Sequence, residues 1–255
     1  MLTSAPLGRR LLAEALGTGL LVTVIVGSGI AASRLSPDDT GLQLLQNSTA
    51  TALGLTVLIL LVGPVSGAHL NPVVSAADWL VGRRSGTGLP GRDVAPYALA
   101  QTAGAIAGAE LANLMYDVSL SDLATTERSA AGLWLGEIVA TAGLVVLVLA
   151  LLRTGRAALA APAVGAYIGA AYWFTSSTSF ANPAVTIGRV FSDSFAGIVP
   201  GSVPGFIGAQ LVGAGIAVGL VLWLYPHIGE SADDVVIPYE HHPSQEPETT
   251  TRSTS

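Results

Sequence analysis

The 255-residue chain has no cysteine, no lysine and little charge of either sign: only 11% of its residues are Asp, Glu, Lys or Arg. Without cysteine there is no disulfide framework, thiol nucleophile or zinc–thiolate site. All eleven basic residues are arginine. A soluble domain carries roughly 25% charged residues. This deficit, with 51% hydrophobic residues and 30 glycines, excludes a soluble enzyme, a disordered protein and a nucleic-acid binder, which would show a basic footprint. The net charge of −6 is unevenly placed. Residues 226–255 hold Glu230, Asp233, Asp234, Glu240, Glu246 and Glu248 against Arg252, which leaves the rest of the chain near neutral. That acidic tail has too little apolar surface to fold alone, and disorder is expected there.

What the chain does have is long apolar runs. A spanning helix needs about 20 mostly apolar residues. Six stretches qualify: Leu11–Ala32, Leu44–Gly63, Val94–Tyr116, Ala131–Leu152, Ala157–Phe174 and Ser202–Tyr225. The first follows Arg9 and Arg10 but carries Glu14 and exceeds the ~7–15 apolar residues of a signal-peptide core, so a retained span is expected. Six spans put both termini on one side. Arg9, Arg10, Arg83, Arg84, Arg92, Arg153 and Arg156 fall on that side, and Arg34, Arg128 and Arg189 on the other. The excess predicts cytoplasmic termini in a multi-pass plasma-membrane protein.

The halves echo each other. Ser66-Gly67-Ala68-His69-Leu70-Asn71-Pro72-Val73 returns as Ser179-Phe180-Ala181-Asn182-Pro183-Ala184. Gln101, Gly104 and Gly108 return as Gln210, Gly213 and Ala217, and Glu14 returns as Glu137. Three spans per half make the repeat inverted, over about residues 8–116 and 131–225, as in many transport proteins. Asn is a favoured helix N-cap and Pro a favoured first helical residue. Asn71 and Asn182 therefore start helices, expected over Pro72–Leu80 and Pro183–Phe191. About nine residues cover about 13 Å, near half the hydrocarbon thickness. Two such half-helices meeting N-terminus to N-terminus build a seventh pseudo-span. Their lead-in loops, Gly63–Leu70 and Thr175–Ala181, are tolerable at that depth only against protein or a wet cavity. The carbonyls of Gly67, Ala68, Thr178 and Phe180 are expected to line that cavity.

The paired Asn-Pro boxes, the Ser-Gly-x-His lead-in and the repeated glutamates resemble the aquaporin, or major intrinsic protein, family across residues 8–225. The resemblance implies an all-α, right-handed bundle of six spans plus two re-entrant half-helices, with one pore per protomer and four protomers together. It implies that Asn71 and Asn182 donate hydrogen bonds to a passing solute at the pore centre. Glu14 and Glu137 would brace the re-entrant loops, and His69 would line the cytoplasmic half. Facing helix N-termini repel cations and let neutral dipoles pass, a selectivity logic known for aquaporins. The implied partners are water, small uncharged solutes and the bilayer, with no cofactor, metal or nucleic acid.

Two positions depart from the family pattern. Val73 ends the first box in place of alanine. Val185 follows the second box, where most members place the arginine of the outer constriction. Spacing from the boxes puts the remaining filter positions at Thr51, Ala170 and Ser179. The ring Thr51, Ala170, Ser179 and Val185 holds no aromatic, histidine or arginine, so a wide, weakly polar filter is expected. Polyols, urea-like molecules and metalloid hydroxides such as arsenite then become candidate solutes. The string from Asn182 to Arg189 resembles a bacterial branch linked to arsenic resistance. Arg189, one turn beyond Val185, either guards the outer vestibule or simply snorkels at the half-helix C-terminus. Glu14 and Glu137 read as braces before proton relays, and His69 as a wall residue before a metal ligand. The rival function is an ion-coupled secondary transporter, which also uses inverted repeats but would need charge at the midplane.

Overall fold

A computed structural model describes residues 5–83, 86–120 and 122–225; the acidic tail lies outside them. All regular structure among the described residues is helical. The elements are α1 (Leu7–Leu35), α2 (Thr40–Ser66), α3 (Pro72–Gly82), α4 (Gly91–Met115), α5 (Ala131–Arg153), α6 (Ala160–Phe174), α7 (Pro183–Gly188) and α8 (Val203–Leu224). Short 3-10 turns precede α6 and α8 and follow α7.

Five of these helices are long and apolar enough to cross a membrane. The sixth expected span, α4, has the length but a more polar sequence: Asp93, Gln101, Glu110 and Asn113 interrupt an Ala/Gly-rich run. Small residues there permit backbone contact with a neighbour. A Cβ on Gly108 would collide with the backbone carbonyl of Gly19 in α1, and one on Gly213 in α8 would come within 2.5 Å of the Ile138 carbonyl in α5. α1 therefore packs on α4 and α5 on α8, the same pairing in each half.

Both half-helices form as expected. α3 runs two residues further than Leu80, and α7 gives way to a 3-10 turn over Arg189–Phe191. Large apolar side chains such as Leu53, Leu61, Leu99 and Trp223 cover the outer surface. That is the distribution expected when lipid, not water, is the outer solvent.

Candidate functional site

Each Asn-Pro box caps its own helix. Asn71 Oδ1 accepts from the Val73 amide at 3.0 Å, and Asn182 Oδ1 accepts from the Ala184 and Val185 amides at 3.0 and 3.2 Å. The side-chain nitrogens reach across the centre. Asn71 Nδ2 donates to the Ala181 carbonyl and Asn182 Nδ2 to the Leu70 carbonyl, both at 2.7 Å. The boxes are thus tied head to head in the middle of the protein. A carboxamide nitrogen carries two protons, so each asparagine keeps one beyond this bond, on the wall of a cavity.

The lead-in loops are backbone-strained in a matched way. Gly67, Ala68 and Leu70 take positive φ (87°, 48°, 49°), as do Thr178, Ser179 and Ala181 (60°, 51°, 48°). Each of these three pairs is separated by 111 residues, as Asn71 and Asn182 are. Left-handed backbone costs a non-glycine residue roughly 1–2 kcal/mol. It persists because the surroundings over-determine it. Glu14 Oε1 accepts from the His69 amide at 3.0 Å and Oε2 from the Leu70 amide at 2.6 Å. Glu137 accepts from the Phe180 and Ala181 amides, both at 2.8 Å. Gln101 and Gln210 donate to the same carboxylates at 2.7 and 2.6 Å. Both glutamates are fully buried and neither lines the central cavity. Their hydrogen bonds tie each re-entrant loop to α1 or α5, behind the cavity wall.

That cavity, of about 60 Å3, exceeds several-fold the roughly 10–15 Å3 one water needs on the same measure. From α6 it takes Ala160, Val164, Ile168 and Tyr172, and from α2 Thr51, Leu55 and Ile59. Both sets recur every fourth residue, so each is one face of its helix. The twelve-residue step from Ala160 to Tyr172 extends it along about 18 Å of the α6 axis. The two box segments add Ala68 to Asn71, Val74, Ser179 to Asn182, Val185 and Arg189, and Leu21 and Ile25 of α1 with Leu144 and Val148 of α5 complete the wall. Polar atoms are few and paired on one side: Thr51 Oγ1 lies 3.2 Å from Tyr172 Oη, while Ser179 Oγ has no hydrogen-bond partner among the described residues.

Several expectations need correction. Ala170 is exposed on the outer side of α6 and absent from the cavity wall; Ile168 and Tyr172 hold the wall instead. Counting back from the box presumed a fixed loop length, but the helical face at 164, 168 and 172 excludes 170, which is rotated about 200° from 168. Gly67 and Thr178 open the two loops but do not reach the wall. Pro72, Val73, Pro183 and Ala184 build the half-helix starts behind it. The aromatic-free, arginine-free ring is also overturned. Tyr172, which faces Thr51, and Phe180 line the cavity, and so does Arg189, whose side chain is buried rather than snorkelling. Its guanidinium carbon sits 3.4 Å from the centre of the Phe180 ring, and Nε donates to the Ala196 carbonyl.

The segment before α5 closes over this end. Arg128 Nε donates to the Gly197 carbonyl at 2.9 Å, and Ser202 Oγ donates to Glu127 at 2.8 Å. The Ser129 and Ser202 hydroxyls hold the Glu127 carboxyl below its usual range, and burial lowers the Arg128 guanidinium from its ordinary value.

Comparison with known proteins agrees with this geometry. The major intrinsic protein family model matches residues 1–179. The chain is 52% identical over 218 residues to the aquaglyceroporin AqpS of Rhizobium meliloti, covering 86% of this chain and 91% of that one. It is 40% identical over 105 residues to the propanediol uptake facilitator PduF of Citrobacter freundii, covering 41% and 36%. The solved aquaglyceroporin of Plasmodium falciparum superposes with a TM-score of 0.65 at 20% identity, over 88% of this chain and 99% of that one, which speaks to the fold alone. Tied Asn-Pro boxes, braced loops and a cavity between the repeats accompany a match over most of the sequence, and the chain belongs to the major intrinsic protein family of membrane channels for water and small solutes.

Proposed function

We propose that the chain is a passive channel for small uncharged solutes of glycerol size, with water passing beside them. The observation that carries this reading is the wall itself: apolar along most of its length, with neutral polar atoms at Thr51, Tyr172, Ser179 and the two asparagine amides, and with His69 and Arg189 as its further polar side chains. A polyol shedding its water regains hydrogen bonds at those points, and its carbon skeleton rests on Leu21, Ile25 and Val185. An ion regains too little to offset its desolvation, which reaches several kcal/mol even after relaxation. Relatives named as an aquaglyceroporin, propanediol facilitators and a glycerol facilitator support the solute size. Undissociated metalloid hydroxides such as arsenite share that size and neutrality and belong to the same candidate set.

Valine at position 185 leaves the second box without the neighbouring arginine and favours solutes larger than water. Four protomers, each with its own pore, sit in the plasma membrane with both termini cytoplasmic, as the arginine distribution favours. The coupled-transporter reading lacks a midplane charge on the cavity wall.

Stopped-flow flux in proteoliposomes across water, glycerol, urea and arsenite tests this. Glycerol flux that rises linearly with its gradient and ignores ion gradients is expected. Saturation with dependence on a Na+ or H+ gradient would overturn it. Val185→Arg is expected to suppress glycerol more than water; equal loss of both would contradict the placement of Val185.

A further inference from the structure

Each re-entrant loop puts one ring on the cavity wall two residues before its asparagine: His69 before Asn71, and Phe180 before Asn182. Behind each stands a second ring, and neither of these lines the cavity. His69 meets Tyr97 of α4, with ring centres 5.4 Å apart and planes at 59°. Phe180 meets Phe206 of α8, at 5.0 Å and 71°. The wall rings are 111 residues apart, as the boxes are, and the backing rings 109, as Gln101 and Gln210 are. Tyr97 and Phe206 lie one helical turn before those glutamines, and both are fully buried. The arrangement is thus built twice. A glutamine holds the carboxylate that braces the loop, and one turn away a ring backs the loop's wall residue.

The two pairs are fixed by different means. Tyr97 Oη donates to the Ser66 carbonyl at 3.0 Å and accepts from Arg10 Nη1 at 3.5 Å. Arg10 Nη2 in turn pairs with Asp93, one turn before Tyr97, at 2.8 Å. His69 has a polar tie of its own, with Nδ1 2.9 Å from Ser75 Oγ. Phe206 has none and sits in a small apolar cluster with Phe180, Val190 and Ile198. The Phe180 ring is held by packing alone: Phe206 meets it near edge-to-face, and the Arg189 guanidinium lies over it. In an edge-to-face pair the tilt of one ring sets the tilt of the other.

We propose that Tyr97 and Phe206 are positioning residues for permeation: each fixes how far its wall ring reaches into the cavity, and so sets the solute size admitted there without touching the solute. The inference rests on the channel reading above. An aromatic ring is a flat plate, and a small tilt carries its edge into or out of the lumen. With the backing ring gone, the wall ring falls back into the space behind it and the cavity widens. Phe180 depends on its backing ring the more, because His69 keeps its contact with Ser75.

The test measures water, glycerol and erythritol flux in proteoliposomes for the full chain and for Phe206→Leu, Tyr97→Leu and Tyr97→Phe. Leucine fills the space but offers no flat face. Phe206→Leu is expected to raise the erythritol-to-glycerol flux ratio about fivefold, and Tyr97→Leu about twofold, the scale of one aromatic pair. Tyr97→Phe keeps the ring and loses only the hydroxyl, so it should keep the wild-type ratio even if Tm falls. In a Phe180→Leu background, Phe206→Leu should add nothing, since its effect passes through the Phe180 ring. A purely structural role would lower Tm and leave every ratio in place. Leucine variants that pass glycerol at the wild-type ratio overturn the proposal. So does a Phe206→Leu effect that adds in full to that of Phe180→Leu, or a Tyr97→Phe shift as large as that of Tyr97→Leu. Should Phe206→Leu fail to assemble, the more adaptable Phe206→Met replaces it under the same criteria. Wild-type protein that passes no glycerol sinks the channel reading instead, so the two failures are separable.

Discussion

In the first repeat, Ser66 Oγ accepts from the Ala68 amide at 3.1 Å; in the second, Ser177 Oγ accepts from the Ser179 amide at 3.2 Å. Ser75 and Thr186 bond back to the carbonyls of Asn71 and Asn182, and each hydroxyl receives a glutamine amide, from Gln101 and Gln210. Every one of these loop and half-helix positions has its counterpart 111 residues away. Equivalence ends where the halves open to opposite sides. His69 and Asp78 stand at one end, and Phe180 and Arg189 at the other. α3 has eleven α-helical residues, and α7 has six before its 3-10 turn. The parts that hold the centre are duplicated, and the parts that meet each mouth have diverged. An inverted repeat thus duplicates what holds the centre together and leaves its two ends free to differ.

The sharpest way to break this comparison is at the braces. Glu14→Ala and Glu137→Ala each strand two buried backbone amides and a glutamine. At about 1–3 kcal/mol for each unsatisfied group, either variant is expected to lose several kcal/mol, read as a large drop in Tm in detergent. A large loss in one and tolerance in the other would show that the halves do not share the bracing load. A smaller effect is expected at the cavity wall. Tyr172→Phe removes the hydroxyl facing Thr51, worth about 1 kcal/mol, and should shift the glycerol-to-water flux ratio a few-fold without unfolding the protein. An unchanged ratio would remove Tyr172 from the selecting ring. Smallest of all, Ala68→Gly and Ser179→Gly relieve left-handed backbone and are expected to alter stability by at most about 1 kcal/mol. Equal shifts in Tm sharpen the equivalence, and opposite shifts weaken it.

Much of this was legible in the sequence because an inverted repeat writes its constraints twice. The Asn-Pro boxes, Glu14 with Glu137, and Gln101 with Gln210 each fix a backbone group that must be satisfied far from water, so chemistry and spacing point the same way. The length of the half-helices followed from caps and bilayer thickness. The filter was harder to read. Ala170 was misplaced because which side of α6 faces inward is set by packing against α2, not by distance from a box. The four-residue recurrence of Val164, Ile168 and Tyr172 is the signal that marks the face. Arg189 is a second case. Snorkelling and burial are equally open to a lone arginine until its neighbours are known, and only Phe180 and the Ala196 carbonyl decide it. The register of the boxes also carries Asp78 onto Arg189, a pairing visible in the sequence once the offset is applied to every position and not to the motifs alone.

The central claim is a single wet route between the two repeats, and the absence of native cysteine allows a direct test. Val74→Cys, Val185→Cys and Ala170→Cys are reconstituted singly, and glycerol flux is measured before and after a small, uncharged thiol reagent. Loss of flux at Val185→Cys and Val74→Cys, with none at Ala170→Cys, is the predicted result. Flux unchanged at both Val185→Cys and Val74→Cys, despite confirmed labelling, would contradict the route.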